Sequence, residues 1–144
     1  MLRKAEVTRS ALVRAILQMI KFLEKNKYAA IILTVLIAIE IFYFSAKTAV
    51  PGGEQASTLN LALAYHSIVF FLFTFFLAAS IKNKNEILKP KQIILIFTIS
   101  LIYAISDEVH QLFVPGRVAS IKDVLIDLFG VLLALLIYPK KKFQ

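Results

Sequence analysis

Residues 92–138, QIILIFTISLIYAISDEVHQLFVPGRVASIKDVLIDLFGVLLALLIY, decide how the chain is read. The run from Gln92 to Ile105 is apolar but has only 14 residues. The run at the other end is purely apolar only from Leu128 to Tyr138. A membrane-spanning helix needs about 20 residues, with a range of roughly 17–25. The first run therefore spans only if its helix continues through Asp107 and His110. The second spans only if it starts near Val118 and carries Lys122, Asp123 and Asp127 in its first half. Polar groups facing hydrocarbon each cost kilocalories per mole, so they must turn toward the bundle interior or a water-filled cleft. The polar halves of the two helices are thus expected to pack together. Val114-Pro115-Gly116 separates them: proline cannot continue the helix and glycine permits the tight turn.

Outward from this stretch, two further apolar runs are long enough without qualification. One extends from Tyr28 to Ala46 and is broken by Glu40; the other extends from Leu59 to Ile81 and is broken by His66. The expected fold is an all-α polytopic membrane protein of four transmembrane helices over residues 28–144, preceded by a basic segment, 1–27. Composition agrees. Hydrophobic residues make up 59% of the 144, against about 45–50% in soluble domains, and mean hydropathy is +0.77. The chain lacks cysteine, which excludes disulfides, thiolate metal sites and cysteine nucleophiles. The net charge of +8 would suggest nucleic acid in a soluble protein. Here the basic residues flank apolar runs, so anionic lipid and topogenic signalling explain them and no nucleic-acid partner is expected.

Lys and Arg are unevenly spread. Residues 1–27 carry seven, the segment 82–91 carries four and the C-terminal tail three, whereas Lys47, Arg117 and Lys122 lie on the other side. The positive-inside rule then places both termini in the cytoplasm. No apolar stretch with a small-residue cleavage site follows the basic residues, so no cleaved signal is expected. Leu12, Ile16, Met19, Ile20 and Leu23 recur at helical spacing, which suits an interfacial amphipathic helix; a frayed basic tail is the alternative.

With this topology the ionisable groups gather at one level. Glu40 lies about 7–8 Å from the outer end of the first helix and His66 about 10 Å down the second, at 1.5 Å per residue. Asp107, Glu108 and His110 end the third helix outside; Asp123 and Asp127 begin the fourth. Asp107, His110 and Gln111 stand at i, i+3, i+4 and share a face, while Glu108 points about 100° away. Asp123 and Asp127 are i, i+4, and their face continues to Gly130 and Ala134, a small-xxx-small pattern that lets backbones approach. Arg117 falls beside the carboxylates as their ion-pair partner. Glu40, His66, Asp107, Glu108, His110, Gln111, Arg117, Asp123 and Asp127 are therefore expected to line an outward-facing cleft between helices three and four. Structural pairing alone would account for any one of them, but intramembrane ionisable residues together point to function.

Ser106-Asp107-Glu108, His110-Gln111-Leu112-Phe113, Val114-Pro115-Gly116-Arg117, Lys122-Asp123-Val124, and Asp127 with Gly130 resemble the VanZ-like family of small membrane proteins. This segment is about a quarter of the chain. Phe44-Ser45 stands where the family often has a Ser-rich FS motif, and Ala134 stands where a second glycine is common. The resemblance implies a cell-envelope role, since the family's namesake is associated with low-level teicoplanin resistance.

Two functions stay open. One is a binding or resistance factor whose cleft engages membrane lipid, a cell-wall precursor or a lipoglycopeptide, with Arg117 and Lys47 holding an anionic group. The other is an enzyme acting on a lipid-linked or phosphorylated substrate at the outer leaflet. In that case Asp107 or Asp123 would serve as base and His110 as acid. Asp107, His110, Asp123 and Asp127 could also hold a divalent cation, since carboxylates suit Mg²⁺ or Mn²⁺ and imidazole suits Zn²⁺, yet no spacing restricted to a metal site occurs, so no metal or cofactor is assigned. There is no Gly-rich nucleotide loop or nucleophile elbow. A proton-coupled transporter is disfavoured by the one-sided clustering, and four helices are few unless the chain forms a homo-oligomer.

Overall fold

The computed structural model describes residues 11, 14–15, 18–23, 25–47, 56–83 and 86–138, without the side chains of 56–60 and 62. Four helices follow one another: α1 (Lys27–Ser45), α2 (Ala56–Ile81), α3 (Pro90–Gln111) and α4 (Ile121–Ile137). No strand occurs among the described residues. Of residues 1–27, the stretch 18–23 is helical and its Ile20 and Leu23 join the buried core; Leu12 and Ile16 lie outside the described residues.

Local chemistry sets the helix limits. Pro90 begins α3, where a missing N–H costs nothing. The Gln92 side chain accepts from Lys89 N at 2.9 Å and donates to Ile81 O at 3.0 Å, tying α3 to the end of α2. As expected, α3 runs on through Asp107 and His110. Ser120 caps α4 with extended backbone, its hydroxyl accepting from Lys122 N at 3.2 Å.

That cap shortens the expected fourth span. Lys27–Ser45, Leu63–Ile81 within α2, and Pro90–Gln111 are long and apolar enough to cross a membrane, giving three such helices among the described residues rather than four. Residues 118–120 lie outside the helix, so α4 has 17 residues, about 25 Å at 1.5 Å each, against a hydrocarbon core of about 30 Å.

Helix α2 is central: it packs on α1, α3 and α4, while α3 also touches α1 and α4. A close backbone approach occurs at Gly130. A Cβ there would collide with the Ser67 carbonyl oxygen and lie 3.0 Å from Phe71 N. The small-residue face of α4 thus meets the α2 backbone, with Asp127, Gly130, Val131 and Ala134 all buried. Phe70, Phe73 and Phe75 are buried, and Phe73 stacks on Tyr103 at 5.0 Å. The outside is apolar. Ile32, Leu36, Ile39 and Phe42 on α1, Ile94 and Ile102 on α3, and Phe129, Leu132 and Leu136 on α4 are all exposed. Apolar surface so extensive belongs in lipid rather than water.

Candidate functional site

At the end of the bundle where α1 and α3 stop and α2 and α4 start, buried polar side chains join all four helices. Asp107 and Glu108 are each 5% exposed and Asp127 is fully buried. The Ser45 hydroxyl donates to Asp107 Oδ1 at 2.5 Å, linking α1 to α3. The Gln111 amide donates to Asp107 Oδ2 at 3.1 Å and to Glu108 Oε1 at 3.3 Å. Glu108 Oε2 accepts from Ser120 N at 2.7 Å, fastening α3 to the start of α4. His66 Nδ1 lies 3.1 Å from Asp127 Oδ1, linking α2 to α4.

The i, i+4 reading of Asp107 with Gln111 is thus a hydrogen bond. Glu108 shares Gln111 with Asp107 and also has a partner of its own, the Ser120 N–H. His110 faces α1, as Asp107 does, but takes no part in the hydrogen-bonded cluster. Its ring stacks on Phe42 of α1 at 4.4 Å, and its buried Nε2 has no hydrogen-bond partner. Glu40 accepts from Tyr65 OH at 3.5 Å, apart from the carboxylate cluster. Asp123 is half-buried, and its side chain forms no hydrogen bond or ion pair among the described residues.

Arg117 also differs from expectation. No carboxylate pairs with it among the described residues. Its Nε donates to Lys47 O at 3.1 Å and its Nη2 to Phe44 O at 3.2 Å. Gly116, with φ 80° in the left-handed region, makes the turn that brings Arg117 there. The last carbonyls of a helix lack intrahelical donors and carry its negative dipole end, so a guanidinium is well suited to cap α1. The carboxylates need no arginine because Ser45, Gln111, Ser120 and His66 partner them.

Beside this cluster is a cavity of about 380 Å³. It lies between α1 and α2, not between α3 and α4 as the sequence suggested. Ile41, Phe44, Ser45, Leu61, Tyr65, His66 and Val69 line it, with Lys47 and Arg117. Lys47 Nζ sits over the rings of Phe44 and Tyr43 at 4.2 and 4.8 Å. Of the expected residues, His66 and Arg117 line the cavity. Sequence reasoning missed Ser45 and Tyr65 as site residues; Ser45 had one signal, its place in the FS pair.

Residues 30–142 match the family model described as VanZ/LLP1. No curated protein and no solved structure matches the chain. The matched region takes in α1 from Ala30 onward, the whole of α2, α3 and α4, and every residue of the polar cluster, and the chain belongs to the VanZ/LLP1 family.

Proposed function

We propose that this VanZ/LLP1 protein crosses the membrane four times with both termini in the cytoplasm. Its cavity then binds the anionic head of an acyl-chain amphiphile: an envelope lipid, a lipid-linked cell-wall precursor or a lipoglycopeptide. Binding contributes to teicoplanin tolerance or, more broadly, to envelope homeostasis. The carrying observation is the cavity lining. Lys47 and Arg117 supply positive charge, Ser45, Tyr65 and His66 supply hydrogen-bonding groups, and Ile41, Leu61 and Val69 supply apolar wall. Pockets that combine apolar surface with a few convergent polar groups suit such ligands. The orientation rests on the uneven Lys/Arg distribution. For the fourth crossing, 17 residues is the short limit of a spanning helix.

Two variants test the site. Lys47→Glu reverses a charge without touching the carbonyl that Arg117 binds, and Leu61→Trp fills the cavity. Both should reach the membrane at normal abundance, lose the anionic amphiphile seen by native mass spectrometry, and lose any teicoplanin tolerance that the intact protein confers. Full retention of amphiphile and tolerance in both variants refutes the reading. On this cysteine-free background, Val118→Cys should react with an impermeant thiol reagent in whole cells and Asn83→Cys should not; the reverse pattern inverts the topology.

One observation favours the enzymatic reading as a second choice. The His66–Asp127 pair borders the cavity, giving an imidazole oriented by a buried carboxylate, an arrangement suited to a general base. Turnover of a lipid-linked phosphate by purified protein, abolished in His66→Gln, is the result that would select it.

A further inference from the structure

Three side chains from three helices converge beneath the cavity: His66 of α2, Glu108 of α3 and Asp127 of α4. Each offers one ligand atom, and these atoms all lie within 4.8 Å of one another. We propose that they bind one divalent transition-metal ion, Zn²⁺ foremost. This stands apart from the amphiphile reading above, because it concerns the cluster itself and not what fills the cavity.

Four features carry the inference. The donor set is an imidazole nitrogen with two carboxylate oxygens, a mixture that suits Zn²⁺ or Mn²⁺ better than Mg²⁺ or Ca²⁺. The spacing is close to what an ion needs. Zinc bonds of about 2.0–2.2 Å put tetrahedral ligands roughly 3.3–3.6 Å apart. His66 Nδ1 and Asp127 Oδ1 are already 3.1 Å apart, and a Glu108 oxygen lies within 4.8 Å of both.

Next, Asp127 keeps an unused acceptor. Its side chain is fully buried, and Oδ2 has no hydrogen-bond partner. Buried acceptors are normally satisfied, so an orphan within a ligand cluster calls for a positive partner. The remaining feature is the support around Glu108. Ser120 N holds Oε2 and Gln111 holds Oε1, the kind of outer contact that orients a metal-binding carboxylate.

Charge balance agrees. A divalent ion would offset the charge of the two carboxylates that bind it, while Asp107 keeps its hydrogen bonds to Ser45 and Gln111. His66 also lines the cavity, which gives the ion a path in and out. With three protein ligands the fourth position stays open, as at catalytic rather than structural zinc sites.

The test uses full-length protein in detergent, with any affinity tag removed. After stripping with chelator, it is dialysed against Zn²⁺ or Mn²⁺ and its metal content is measured by mass spectrometry. About one ion per chain is expected, with a rise of several degrees in the thermal midpoint. His66→Gln, Glu108→Gln and Asp127→Asn should each weaken binding tenfold or more, while Glu86→Gln, on an exposed loop, leaves it unchanged. The stripped wild type decides the matter even if a variant fails to fold. Less than a tenth of an ion per chain with no thermal shift overturns the proposal. So does equal metal in all three cluster variants, or binding of Mg²⁺ or Ca²⁺ alone.

Discussion

At one end of the bundle, helices meet through Ser45–Asp107, His66–Asp127 and the Glu108–Ser120 contact. Toward the other end they meet through Phe73, Phe75, Ala78, Ala79, Ile96 and Ala134, all buried. There the polar contacts include the Thr74 hydroxyl donating to Ser100 at 3.0 Å, the Gln92 amide donating to Ile81 O at 3.0 Å, and Lys82, 1% exposed, with its ammonium 5.6 Å from the Tyr138 ring, but no buried carboxylate among the described residues. In lipid, helices associate through close packing and interhelical hydrogen bonds, since apolar burial gains little against lipid tails. The apolar end therefore contributes stability by shape. The polar end holds three buried carboxylates that shape alone does not require, which is how a membrane protein carries function.

The largest effect should come where the two regions join, at Gly130. Gly130→Leu drives a side chain into the Ser67 carbonyl, and overpacking costs about 1–3 kcal/mol or more. Thermal unfolding in detergent should show a loss at or above the top of that range, with Gly130→Ala intermediate. Unchanged stability would mean that α2 and α4 do not depend on this approach.

A double replacement at the polar end sharpens the comparison. His66→Phe with Asp127→Leu exchanges a buried polar pair for apolar volume, which in other proteins has been neutral or stabilising by about 1–4 kcal/mol. In metal-free detergent the double variant should be at least as stable as wild type, and inactive in the amphiphile assay. Lost stability in the double variant would show that the cluster is structural glue.

The smallest effect is expected at the apolar end. Thr74→Val or Ser100→Ala should each cost about 1 kcal/mol, the usual net value of one hydrogen bond. A loss several times larger would erase the contrast, because polar contacts would then govern both ends.

How much of this was legible beforehand follows from what each helix shows in its sequence. The first apolar run, Tyr28 to Ala46, folds as Lys27–Ser45; the third helix continues through Asp107 and His110, as its length requires. Length and hydropathy suffice for such limits. The pairing of Asp107 with Gln111 and the burial of Gly130 follow from helical spacing alone. The rotation of α1 does not. It is apolar on every side, so no amphipathic face indicates which residues turn inward. Ser45, Tyr65 as the partner of Glu40, and the Phe42–His110 stack all depend on that rotation. Arg117 was misassigned for a related reason: charge alone cannot reveal that backbone carbonyls 70 and 73 positions away would take its donors.

The cavity wall has a consequence for kinetics. Leu61 is 72% exposed and Phe44 39% exposed on the lipid-facing side, and both line the cavity. On the amphiphile reading proposed above, the doorway is lateral, opening into the bilayer as well as toward its surface. A ligand that already resides in the leaflet reaches it by a two-dimensional search without leaving its hydrocarbon surroundings. Occupancy then follows the ligand's density in the membrane rather than its concentration in water, so a soluble headgroup stripped of its tail should be a poor competitor.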